Sequence, residues 1–251
     1  MALNLSAKDQ LIALLDRFES GQDPAGARAE ATELIQRLGS AELIDIEERL
    51  VAAGMPVQRM KHLCPSHMAA GSGDRAAFRG SLPDEHPVAV FMDEHLNILA
   101  KLSELEDVVA TVDADRETIL RAAQLGKALT DAEPHHAREE QVLFPALSAR
   151  GIEGPPAMME MEHQDIRRLK HAIHDDAHAA IETGEGWETV RSSALRLIPF
   201  LRDHIMKEDT ILYPMAVQVI TDPAQWDEIK ARCDAVGYCC HVEGAGGCGG
   251  H

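Results

Sequence analysis

Two stretches of this 251-residue chain follow one pattern. His135-x-x-x-Glu139-x-x-x-Leu143-Phe144-Pro145 recurs further along as His204-x-x-x-Glu208-x-x-x-Leu212-Tyr213-Pro214. The pair Glu94-His95 likewise recurs as Glu162-His163, at an offset one position shorter. The spacing from His95 to His135 and that from His163 to His204 therefore differ by a single position. Two helical hairpins of one design would pack as a four-helix bundle with a pseudo-twofold repeat. In each hairpin the His and the Glu four residues on stand one turn apart on one helix face.

The rest of the chain agrees with an all-α class. Aromatic residues are only 4 %, and long Ala/Leu/Glu/Arg stretches dominate. Helical patterns run near 87–110, 115–147, 156–183 and 187–217, with a shorter one at 223–235. Pro134 and Pro199 fall inside these patterns and are expected to kink or break them. Residues 7–63 read as a small helical unit. Leu11, Leu14, Leu15 and Phe18 form its first apolar stripe, and Asp23-Pro24 opens a helix with Pro at the first helical position. Gly39-Ser40 ends that helix and caps the next. Gly54 and Pro56 punctuate the third, and a short fourth runs to Leu63. The expected organisation is a small helical domain at 1–67, a Gly/Ser/Ala-rich linker at 68–85, a four-helix bundle at 86–238 and a Cys/Gly/His-rich tail at 239–251.

The repeat carries the chemistry. His95 lies in an apolar stripe with Val88, Phe91, Leu99, Leu102 and Leu105. A single imidazole there reads most simply as a core histidine bonded to a backbone carbonyl, because an unpaired one is costly to bury. Four histidines and two glutamates drawn from four helices in a repeating pattern read differently. Converging in a bundle core, they would be badly desolvated unless something cationic sat between them. A pair of divalent ions meets that need, and imidazole with carboxylate suits iron, manganese or zinc. The candidate metal ligands are His95, His135, Glu139, His163, His204 and Glu208. No catalytic residue and no organic-cofactor site is assigned. His136 and Glu140 form a competing His-x-x-x-Glu pair, but only His135 and Glu139 match the offset of the repeat.

These elements resemble the hemerythrin-like (HHE) four-helix bundle, a di-iron fold, and they occur in that family's order over residues 86–217. Within it, the nearest pattern is that of bacterial di-iron proteins implicated in iron-centre repair and nitric oxide stress. The resemblance implies two iron ions in an oxo- or hydroxo-bridged centre. His95, His135, His163 and His204 would be terminal ligands, two per iron, with Glu139 and Glu208 bridging. Residues 7–67, ending Lys61-His-Leu-Cys-Pro-Ser-His67, resemble a small helical domain of unassigned function that often precedes such bundles.

Other motifs carry less. His171, His174 and His178 share the third pattern with metal-compatible spacing, but His171 is eight residues past His163, about 12 Å along the axis, so a solvated face is expected. His86, before Pro87, reads as a helix-start residue. Glu133-x-x-His136 and Glu160-x-x-His163 match an element of ferritin-like bundles, although the lone Glu expected on each partner helix is not evident. Cys64-x-x-His67 could ligate a metal or be a redox thiol, although a buried helix-end Cys64 is the plainer reading; the tail residues Cys239, Cys240, His241, Cys248 and His251 could capture a metal or form a disulfide, and a tail with no role is an equal alternative.

Lys and Arg number 24 against 42 Asp and Glu, a net charge of −18. That excludes a basic nucleic-acid footprint and disfavours an anionic membrane surface. There is no apolar run of about 18 residues and no secretion signal is expected. The cysteines, few and clustered, point to a cytoplasmic protein rather than a disulfide scaffold. The expected partner is a small gaseous ligand, nitric oxide or oxygen, with a protein partner for the N-terminal helices left open. Binding or sensing in stress response, turnover as a nitric oxide or peroxide reductase, iron donation and oxygen storage all remain open. Oxygen-carrying hemerythrins have a fifth His one turn from the first on the third helix. Here those positions are Met159 and Arg167, so each iron is expected to keep an open position, with up to two nitric oxide bound and no long-lived oxy complex.

Overall fold

A computed structural model of the chain describes residues 6–20, 23–38, 46, 50 and 75–238. The features expected at Gly39-Ser40, Gly54, Pro56, Cys64, His67, Cys239, Cys240, His241, Cys248 and His251 lie outside the described residues. Two compact units divide the chain. One comprises the residues up to Phe78 together with Leu147–Met159 and Met206–Thr221; the other comprises Arg79–Ala146, Glu160–Ile205 and the residues from Asp222.

In the first unit, α1 (Ala7–Glu19) packs against α2 (Pro24–Leu38). Ser6 caps α1: its Oγ accepts from the Asp9 N–H at 3.2 Å and donates to Asp9 Oδ2 at 2.7 Å, filling a donor left over at the helix start. Leu11, Leu14 and Leu15 are buried, as are Ala27, Ala31 and Leu34. Asp23 turns the chain into α2 with φ of 53°, and its Oδ1 accepts from the Gly26 N–H at 3.0 Å. Part of the expected linker is helical: α3 spans Arg75–Gly80. Arg75 reaches the fully buried Asp209, Nε to Oδ2 at 2.5 Å. A buried carboxylate gives the segment an anchor that its Gly- and Ser-rich composition did not advertise.

Four long helices supply the second unit: α4 (Pro87–Val109), α5 (Arg116–Thr130), α8 (Gly154–Thr183) from Glu160 onward, and α9 (Trp187–Lys207) as far as Ile205. Their apolar stripes meet in one core. Ile98, Leu102, Leu105 and Val109 of α4 join Leu125 and Leu129 of α5, Ile166 and Ile173 of α8, and Leu197 and Leu201 of α9. Each such side chain contributes on the order of 1.5–3 kcal/mol by leaving water. Gly126 marks the closest approach. A Cβ there would come within 3.0 Å of the His174 backbone N and 3.1 Å of Ile173. Polar caps set the helix starts. His86 accepts from the Val88 N–H at 3.2 Å, and Asp115 from the Thr118 N–H at 2.8 Å.

The pattern at 115–147 is not one helix. It breaks after Thr130, and α6 (Glu133–Arg138) restarts with Pro134 in its first turn. Pro199 does not break α9, which runs through it. Both repeated motifs instead contain a widened π turn, at Glu139–Leu143 and Glu208–Leu212. The Phe144 N–H reaches back five residues to the Glu139 carbonyl, and the Tyr213 N–H to that of Glu208. The prolines that follow explain the widening. The rings of Pro145 and Pro214 cannot share an ordinary turn with the carbonyls four residues back, and one extra residue relieves the clash. The Gln141 carbonyl, which Pro145 cannot satisfy, accepts from Arg232 at 2.7 Å. Helices α7 (Phe144–Ser148) and α10 (Tyr213–Val219) continue beyond the two turns, and α11 (Pro223–Val236) follows. Each π turn starts at the motif glutamate.

Candidate metal centre

The second unit brings four of the sequence-predicted histidines into its interior. His95 lies on α4, His135 on α6, His163 on α8 and His204 on α9, none more than 1 % exposed. Nε2 of His95 and Nε2 of His135 are 3.0 Å apart. Two imidazoles at about 2.1 Å from one ion would place their nitrogens about 3.0 Å apart at a right angle and about 3.4 Å apart in a tetrahedron.

Carboxylates fix the direction of three rings. Nδ1 of His135 is 2.8 Å from Glu94 Oε2, Nδ1 of His204 is 2.9 Å from Glu162 Oε2, and Nδ1 of His163 is 2.7 Å from Glu140 Oε1. An Nδ1–H donating to a carboxylate leaves Nε2 of a neutral ring as the lone pair. Those lone pairs face a further acceptor. Glu139 Oε2 is 3.6 Å from His135 Nε2 and 3.4 Å from His163 Nε2. Imidazole lone pairs converging on a fully buried carboxylate repel one another unless a cation stands among them. The donor set therefore fits metal, with one oxygen of Glu139 reaching toward imidazoles on two different helices.

The repeated Glu-His pair has a function that spacing alone left unread. Glu94 does not serve its neighbour His95; it orients His135 and also pairs with the buried Arg138. Burial would raise the Glu94 carboxyl, but the His135 hydrogen bond and the Arg138 charge hold it below the usual carboxylate range. Arg138 also sits over Phe91 at 5.1 Å and over Tyr238 at 4.3 Å. Glu162 repeats the arrangement for His204. The offset that identified the histidines contained these glutamates too, and could have found them.

Glu140 is the third supporting carboxylate. Arg167 grips it at 2.9 and 3.0 Å and binds Glu133 at 2.8 Å. Burial pushes the Glu140 carboxyl up, but the His163 and Arg167 hydrogen bonds bring it below its ordinary value. Glu140 thus faces His163 and Arg167, while Glu139 faces His135 and His163.

His136 also lies inside, at 2 % exposed. Its ring stacks on His163, centroids 3.9 Å apart and planes 15° apart. Ligand atoms of His136, His163 and His204 lie within 4.8 Å of one another. Burial, followed by the Lys170 charge, keeps the His136 ring well below the ordinary histidine range, hence neutral. Glu208 is fully buried on the π turn that follows α9, one turn past His204.

The remaining candidates stand apart. His171 and His178 are exposed and His174 half-buried, with Nδ1 of His174 on Asp175 at 2.9 Å; this is a solvated face. Glu160 is exposed and Glu133 is committed to Arg167, so the ferritin-like element is not assembled. Among the described residues, no helix is long and apolar enough to cross a membrane.

Comparison with known proteins places the chain. Residues 86–216 match the hemerythrin HHE cation binding domain, and residues 11–73 match DUF438, a family of unknown function. The chain is similar to the iron-sulfur cluster repair protein YtfE of Musicola paradisiaca (strain Ech703), 29 % identical over 136 residues, covering 51 % of this chain and 61 % of that one. It is also similar to a probable iron-sulfur cluster repair protein of Haemophilus influenzae, 29 % identical over 139 residues, covering 52 % and 62 %. The YtfE protein of Escherichia coli O139:H28 is 29 % identical over 143 residues, covering 53 % and 64 %. The chain thus spans under two thirds of the length of these curated relatives.

Proposed function

We propose that this chain, which belongs to the hemerythrin HHE cation-binding family, is a di-iron protein that maintains damaged iron centres under nitrosative or oxidative stress. The observation that carries the metal reading is the approach of His135 Nε2 and His163 Nε2 to the single oxygen Glu139 Oε2. His95 and His135 would hold one ion and His163 and His204 the other, with Glu139 and its repeat counterpart Glu208 shared between them. Bound iron supplies a redox-active position for a small diatomic ligand such as nitric oxide or oxygen. The chain's own residues do the rest. Glu94, Glu140 and Glu162 hold the imidazoles in the metal-binding tautomer. Ile98, Leu102 and Leu201 exclude water along the bundle axis.

The repair assignment is supported by relatives whose names carry that function. The matches at 11–73 and 86–216 support reading 1–67 as a small helical domain and 86–238 as the metal-bearing bundle. The test is to mix iron-loaded protein anaerobically with a [4Fe–4S] enzyme inactivated by nitric oxide. Recovery of that enzyme's activity, lost in Glu139→Ala, is expected. Recovery at the rate given by free ferrous iron alone contradicts the repair role.

A further inference from the structure

His136 is the interior imidazole that the four-histidine, two-glutamate scheme does not use. An imidazole binds an ion in the plane of its own ring. His136 and His163 are stacked with nearly parallel planes, centroids 3.9 Å apart, so an ion in the plane of His163 stands off the plane of His136. In this geometry His136 would stand beside the His163 ligand position rather than add a fifth imidazole to the ion held there.

Its orientation follows from its neighbours. His163 Nδ1 faces Glu140, and His136 Nδ1 faces Glu133 Oε2 at 3.7 Å. Arg167 holds both carboxylates on one side of the stack. The two rings therefore present their Nε2 edges in the same direction, toward the interior. The His136–Glu133 separation is too long for a hydrogen bond, and Nδ1 of His136 makes none. His204 lies edge-on at 6.1 Å and His135 at 5.9 Å, enclosing the ring. An imidazole carries at least one N–H, and with Nδ1 unbonded the ring can offer that donor from its Nε2 edge.

We propose that His136 positions the exogenous ligand, donating a hydrogen bond from Nε2 to a small anion or diatomic held on the His163/His204 side of the centre. The assignment rests on the dimetal reading above. Azide is the probe. Iron-loaded His136→Leu and His136→Gln are titrated with azide by visible absorbance, with iron per chain measured on the same samples. Both variants are expected to keep the iron content of the unaltered chain. Leu should weaken azide by about tenfold, the worth of one hydrogen bond, and Gln should restore most of the affinity. Unchanged azide affinity in His136→Leu overturns the proposal. So does loss of iron in that variant, which would make His136 a metal ligand. An unaltered chain that takes up no iron would instead overturn the dimetal reading, and this assignment with it.

Discussion

Glu140 accepts a hydrogen bond from Nδ1 of His163 at 2.7 Å, although the two residues lie on different helices 23 positions apart. The carboxylate next to the candidate bridging residue thus supports an imidazole of the other hairpin. Supports of this kind are worth about 10–100-fold in metal affinity. Glu140→Ala is expected to weaken iron binding by that factor in a chelator competition. Glu139→Ala should strip half the iron or all of it. Equal losses in the two variants would contradict the division of roles.

Acid should loosen the metal-free fold in two steps. Burial holds His136 well below the ordinary histidine pKa, and burial also lowers His86. The unfolded chain takes up these protons near pH 6.5 and the folded chain only at lower pH, so this stability is complete above about 6.5 and is lost as the pH falls below it. Glu94 and Glu140 are also lowered, so their contribution is present above about pH 4.3 and fades below. Circular-dichroism melts of metal-free protein should show a Tm that is level above about pH 7 and falls steadily below about 6.5. A Tm level from about pH 7 to 5 contradicts the buried neutral imidazoles.

Gly126 has no side chain because α5 and α8 touch there. In an exposed helix, replacing Gly would stabilise by up to about 1 kcal/mol. Here Gly126→Val should destabilise by about 1–3 kcal/mol, the usual cost of overpacking, read from denaturant unfolding. A variant as stable as the unaltered chain would show that the contact can give way.

Metal should stabilise the fold, because a site assembled from four helices does not exist in the unfolded chain. Iron-loaded protein is expected to melt at higher temperature than metal-free protein, by an amount that shrinks in Glu140→Ala. Identical melting of both forms contradicts a metal core.

The sequence was most informative where the repeat spoke. Its offset separated His135 and Glu139 from His136 and Glu140, and the structure turns Glu139 toward His135 and His163. It also contained Glu94 and Glu162, but a pair of adjacent residues does not reveal that the Glu serves a ring on another helix. His136 entered only as a rival register. Nothing in a linear pattern shows that the turn carrying His135 is enclosed enough to bury its neighbour too. The π turns were legible in principle through Pro145 and Pro214. The break near Asp131 was legible in the same way, since Pro134 begins the next helix; the continuity through Pro199 was not, since that proline is carried within one. Arg75, read as linker, shows the same limit: its partner Asp209 belongs to the second motif, far along the chain.

The most direct measurement is the iron content of protein expressed with iron and purified without added metal, determined by mass spectrometry against amino-acid analysis. Two irons per chain, falling to one or none in Glu139→Ala, is the expected result. A single zinc, or no metal with an unperturbed fold, would contradict a di-iron centre built on His95, His135, His163 and His204.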